Sequence, residues 1–200
     1  SVYLSTALRI KMRRPWIKSD RTLSSLNGHV ILCGFGPTGQ DFSIAFQQEK
    51  VPFVIIEMNP ARIREAKKMH MKAIYGDAAN QEVLKRAGIS RARAVILSFP
   101  DPLGITQIIR VVQSLNPDVI LAVRTRYQGQ MPQLYELGAD MVVTEEWEAS
   151  HELNRLVLGH LDVPEERIEY HLGRIRSRKE LAVEEAIFRR APKTAVSKNK

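Results

Sequence analysis

His29-Val30-Ile31-Leu32-Cys33-Gly34-Phe35-Gly36-Pro37-Thr38-Gly39-Gln40 is the stretch on which the fold turns. The run from His29 to Cys33 has the length and apolar character of a buried strand. Glycines follow at 34, 36 and 39, in G-x-G-x-x-G spacing, and Pro37 suits the first turn of a helix. The three glycines do different things. Gly34 allows the tight turn, Gly36 lets a pyrophosphate approach the backbone, and Gly39 lets the helix pack close to the strand. The free N–H groups of the helix start would face an anion.

Downstream, the chain repeats the same unit. Gly39, Phe42 and Phe46 are spaced to give the first helix a buried face, and Val51 to Ile56 is an apolar second strand ending in Glu57. A carboxylate 18 residues beyond Gly39 stands where a dinucleotide fold receives ribose hydroxyls. Asn59-Pro60 then opens a helix with Ile63, Ala66 and Met69 inward, and Ala73 to Tyr75 is a brief third strand. It delivers Gly76-Asp77-Ala78, where Asp77 suits either an adenosine contact or a turn cap. Val83, Leu84 and Ala87 face inward on the next helix, and Ala92 to Leu97 forms the fourth strand. Ser98-Phe99-Pro100-Asp101 leads to a helix with Ile105, Ile108, Ile109 and Val112 on one face. Val119 to Val123 is the fifth strand, followed by Arg124, which suits either a phosphate or a neighbouring carboxylate. A short helix to Gly138 and the strand Met141 to Val143 complete six strands alternating with helices.

That alternation predicts an α/β fold: a doubly wound, parallel six-stranded Rossmann-type sheet of order 3-2-1-4-5-6, with a C-terminal helical extension. The expected divisions are a basic segment at 1–27, either a plain linker or a juxtamembrane segment, the nucleotide-binding domain at 28–144, crossover and C-terminal helices at 145–188, and a disordered basic tail at 189–200. In the extension, Ala149, Leu153, Leu156, Val157 and His160 share one helix face; Ile168, Leu172 and Ile175 share another.

Charge is unevenly placed. The chain carries 30 Lys and Arg against 22 Asp and Glu, but the excess lies at the ends. Residues 1–27 hold six basic residues against one acid, residues 174–200 nine against three, and the 146 between 15 against 18. A mildly acidic centre with basic arms argues against nucleic-acid binding and suits an anionic membrane surface or plain solubility. Cys33 is the single cysteine and the five histidines are scattered, so neither a disulfide framework nor a metal site is expected. No G-x-S-x-G, HExxH or Cys-His pairing occurs, and His29 lies at the strand end away from ligands, as a structural residue. No catalytic residue is expected. The rival reading is a small NAD-dependent oxidoreductase, which the want of sequence for a substrate domain disfavours.

Four blocks in order carry a resemblance more specific than the glycines. They are Gly34 to Gln40, Tyr75-Gly76-Asp77-Ala78, Ala87-Gly88-Ile89, and Gly138-Ala139-Asp140 through Ser150. Together they resemble the RCK/KTN (TrkA N-terminal) domain, and within it the cytosolic module of Kef-type monovalent cation:proton antiporters, over about residues 28 to 178. The resemblance implies a regulatory domain at the cytoplasmic face of the inner membrane. It would bind NAD(H), or alternatively AMP, ADP or ATP, pair into a homodimer through helix 145–161, and gate a membrane antiporter domain for potassium or sodium. The implied cofactor-binding residues are Gly34, Phe35, Gly36, Pro37, Thr38 and Gly39 in the turn; Glu57, Met58 and Asn59 after the second strand; Gly76, Asp77 and Ala78 after the third; Ser98 and Phe99 after the fourth; and Arg124. Two departures stand out. Many members carry arginine where Pro37 stands, and the family's smaller C-terminal lobe is replaced by helix and basic tail.

Overall fold

In the computed structural model, residues 21–190 are described; the expected segments at 1–20 and 191–200 lie outside them. The elements alternate as expected: α1 (Arg21–Ser24), β1 (His29–Cys33), α2 (Pro37–Gln48), β2 (Phe53–Glu57), α3 (Pro60–Lys68), β3 (Ala73–Tyr75), α4 (Gln81–Arg86), β4 (Ala92–Leu97), α5 (Pro102–Leu115), β5 (Ile120–Thr125), α6 (Met131–Glu136), β6 (Met141–Thr144), α7 (Glu145–His160) and α8 (Glu165–Arg190). The six strands form one sheet of order β3-β2-β1-β4-β5-β6, every pairing parallel. β1 lies at the centre, between β2 and β4, where the winding reverses direction. That reversal opens a crevice at the carboxyl ends of β1 and β4, the place where sheets of this kind hold ligands.

The two faces of β1 explain its unbroken apolar sequence. Ile31 and Cys33 join a large core with Val54, Val95, Leu121 and the inner faces of α4 and α5, while Leu32 joins Phe35, Ile55, Ala66 and Met71 on the other side. Parallel strands covered on both faces need this composition.

Several local expectations change. α2 approaches the sheet through Gly39 and Ser43, not Phe42 and Phe46. A Cβ on Gly39 would come within 2.2 Å of the Gly34 carbonyl oxygen, so the helix sits too close to the turn for a large residue to enter there. Phe42 is instead 37% exposed and stacks on Phe46 at 5.7 Å, and Phe46 in turn meets Phe53. On α3, Ile63 and Ala66 are buried but Met69, just past the helix end, is exposed; Met71 takes the inner place. β2 begins at Phe53, because Val51 and Pro52 turn out of α2, and β5 runs on to Thr125, so Arg124 belongs to the strand. The end of the basic segment expected at 1–27 contains the short helix α1 and buries Leu26.

In the extension, α8 packs on both α6 and α7 and buries Ile168, beside Gly159, and Leu172, beside Trp147 and His151, whereas Ile175 at the same cleft is 46% exposed. α8 runs to Arg190, two residues into the expected tail. α7 buries no residue: Leu153, Leu156 and Val157 stay exposed along its length. Among the described residues, no helix is long and apolar enough to cross a membrane.

Candidate functional site

The glycine turn is built against β4. Gly34 has φ +98°, a conformation that favours glycine, and a Cβ there would fall 2.8 Å from Ser98 Oγ. The Ser98 hydroxyl sits beneath the turn within hydrogen-bond reach of two carbonyl oxygens, Cys33 at 3.0 Å and Gly34 at 3.2 Å. Gly36 then caps α2 with extended backbone and no side-chain hydrogen bond, and Pro37 takes the first helical position. The first turn of α2 therefore faces the crevice with no cap side chain hydrogen-bonded to its donors.

Glu57 enters from the end of β2. Its carboxylate is 8% exposed and accepts two backbone hydrogen bonds, from Phe35 N–H to Oε2 and from Asn59 N–H to Oε1, both 2.7 Å. Each oxygen keeps a second lone pair. The Arg62 guanidinium, from the first turn of α3, approaches Oε2 at 3.8 Å.

A cavity of about 380 Å³ lies over this arrangement. Its wall includes Gly34, Gly36, Pro37, Thr38, Glu57, Met58, Gly76, Asp77, Ala78, Ser98, Phe99 and Arg124, so the structure brings together twelve of the fifteen residues expected from sequence. The other three act indirectly. Phe35 turns its ring into the core and contributes only its N–H, Asn59 caps α3 by accepting from Ala61 N–H at 2.8 Å, and Gly39 sets the approach of α2. Residues not anticipated on the wall are Cys33, Ile56, Arg62, Pro100, Asp101 and Ile108. For Arg62 a signal was available: a cation in the first turn of a helix opposes the helix dipole, and α3 has no acid there to offset it. For Cys33 and Ile56, side-chain direction at a strand end decides, which spacing does not reveal.

The open alternatives resolve into geometry. Arg124 donates to the Ser98 carbonyl at 3.0 Å and pairs with Glu145 at 3.1 Å, so its neighbour is a carboxylate. Asp77 closes a turn by accepting from Ala79 N–H at 2.8 Å while still lining the cavity. Asp101 caps α5 through Gly104 N–H at 3.2 Å. Burial, reinforced by Asp77, pushes the Cys33 thiol up to about 12, which keeps it protonated and unreactive. The acids of this wall thus serve as acceptors for backbone N–H groups. Among the described residues no cluster of His, Cys, Asp and Glu could hold a metal ion.

The sequence profile of the family described as the TrkA-N domain matches residues 30–145. A putative K(+) efflux antiporter KefB of Alkalimonas amylolytica is 32% identical over 143 residues, which cover 72% of this chain and 22% of that protein. The chain thus spans about a fifth of that relative's length. The crystal structure of the TrkA-N domain of inner membrane protein YbaL from Escherichia coli superposes with a TM-score of 0.64 at 27% identity, covering 66% of this chain and 98% of that one. The Shewanella denitrificans Kef CTD in AMP-bound form gives a TM-score of 0.71 at 20% identity, covering 80% and 97%; at that identity the likeness is one of fold.

Proposed function

The chain belongs to the TrkA-N domain family, and on that footing we propose that it is a non-enzymatic regulatory domain that binds NAD(H) or an adenine nucleotide (AMP, ADP or ATP) and gates an attached potassium or sodium:proton antiporter. The observation that carries this reading is the Glu57 carboxylate, held by Phe35 N–H beside an uncapped helix start at the sheet's switch point. Those residues fit a nucleotide. Gly36 leaves the backbone open to a phosphate, Glu57 has lone pairs for two ribose hydroxyls, and Asp77 and Ala78 border the adenosine side. The acids on the wall are spent as turn and cap acceptors, which favours recognition over proton transfer.

The attachment to an antiporter rests on the relatives: one is named a putative K(+) efflux antiporter, and another is a domain of an inner membrane protein. It carries with it a place at the cytoplasmic face of the inner membrane. Pairing into a homodimer through α7 accords with the exposed Leu153, Leu156 and Val157. Nucleotide would bias that pair only by binding one arrangement better than another.

The test is direct. The purified protein is denatured, any released nucleotide is identified by mass spectrometry, and NAD(H), AMP, ADP and ATP are titrated. Binding of at least one in the micromolar range is expected; no binding below about millimolar, an affinity of only ~4 kcal/mol, removes the sensing role.

A further inference from the structure

The two arginines on the cavity wall are held in different ways. Arg124 is committed, donating to the Ser98 carbonyl and pairing with Glu145. Arg62 makes no hydrogen bond among the described residues, and its 3.8 Å approach to Glu57 is an ion pair too long for one. A Cβ placed on Gly36 would lie 3.6, 3.8 and 3.9 Å from Arg62 Nη1, Cζ and Nη2. Such near-equal distances mean that the guanidinium lies face-on over Gly36, at the one glycine that leaves backbone open to an anion. Its side chain is 45% exposed and can turn its N–H edge without disturbing the core.

The electrostatics point the same way. In the first turn of α3 this cation opposes the helix dipole, and the nearly buried Glu57 holds it there. The glycine turn itself offers no charged side chain, since Pro37 and Thr38 occupy its helical start. Guanidinium suits a phosphate because its N–H groups meet two oxygens at once.

We propose that Arg62 is the phosphate-binding residue of this site, reaching over Gly36 from α3 to supply the positive charge that the glycine turn lacks. Glu57 then has two jobs, accepting from ribose and steering Arg62. The inference rests on the nucleotide reading given above and adds a residue to it.

Calorimetric titration of AMP and adenosine into wild type, Arg62→Ala and Arg62→Lys separates the possibilities. Loss of charge-assisted hydrogen bonds is expected to weaken AMP about 10- to 100-fold in Arg62→Ala while leaving adenosine within about twofold, with part of the AMP affinity kept in Arg62→Lys. Should adenosine bind too weakly to titrate, salt decides: AMP affinity falls more steeply with ionic strength in wild type than in Arg62→Ala. Unchanged AMP binding in Arg62→Ala overturns the assignment alone, as does an equal loss for adenosine, which would make Arg62 a contact for the base. A wild type that binds no nucleotide overturns the site as a whole.

Discussion

The Glu57 carboxylate accepts the Phe35 backbone N–H at 2.7 Å, tying the end of β2 to the middle of the glycine turn. Two elements 22 residues apart are locked in register by one buried side chain, and the same side chain faces the cavity.

Removing it should therefore cost both stability and binding. Glu57→Ala leaves Phe35 N–H and Asn59 N–H without their acceptor, each worth about 1–3 kcal/mol when buried and less where water reaches. We expect urea unfolding to show a loss of about 2 kcal/mol, and NAD titration a larger loss of affinity than in Arg124→Ala. Equal NAD binding by wild type and Glu57→Ala would end the ribose role.

Gly36 and Gly39 should separate cleanly. A methyl at Gly39 would stand 2.2 Å from the Gly34 carbonyl oxygen, and neither backbone can yield, so Gly39→Ala should destabilise by about 1–3 kcal/mol or more. At Gly36 the methyl meets only the Arg62 guanidinium at ordinary contact distance. Gly36→Ala should unfold within about 0.5 kcal/mol of wild type yet bind nucleotide poorly. Thermal melts paired with titration read both effects; a stable Gly39→Ala would refute the close packing.

His29 gives the fold a pH dependence. It is fully buried, with Nε2 2.7 Å from the Ala87 carbonyl oxygen. Burial lowers its pKa below 6.5; the Ala87 bond raises it in part, and Arg91 and Lys72 lower it further. With the folded value below the unfolded one, the unfolded chain takes up the proton first as pH falls. The contribution of neutral His29 is thus present above about pH 6.5 and is lost on acidification toward the folded pKa. Denaturant midpoints between pH 8 and 5 should fall more steeply for wild type than for His29→Gln.

α7 offers the test of pairing. Leu156 is 56% exposed and no residue of α7 is buried, so Leu156→Glu should leave the monomer's stability within about 0.5 kcal/mol. Light scattering is expected to show a dimer for wild type and a monomer for Leu156→Glu; a monomeric wild type would remove the pairing through α7. A point substitution is preferable to truncation after Thr144, since truncation would also remove α8, which packs on α6 and buries Ile168 and Leu172.

Most of the sheet was legible because parallel strands covered on both faces read as apolar runs, and turns as glycine, proline and asparagine. Ile31, Val54, Val95 and Leu121 could hardly lie elsewhere. Phe42 and Met69 were misplaced because spacing marks a helix face, whereas the space left between helix and sheet decides what fits. Gly39 against the Gly34 carbonyl closed that space. The glycine turn and Glu57 showed themselves through spacing. Arg62 gave only the signal of a cation in the first turn of a helix, because its place depends on α3 folding back over Gly36, a contact between segments that periodicity does not encode.

Arg124 lies one residue from the end of β5, donates to the Ser98 carbonyl just past β4, and grips the first residue of α7. A wall of the cavity and the root of an exposed helix therefore share one guanidinium, much as two doors share a hinge pin. Any ligand that draws Arg124 inward must take it from Glu145, and so loosen the helix at its origin. Rearrangement there would need no relay through the sheet; it would begin one residue from the cavity, at the root of the 16 residues of α7.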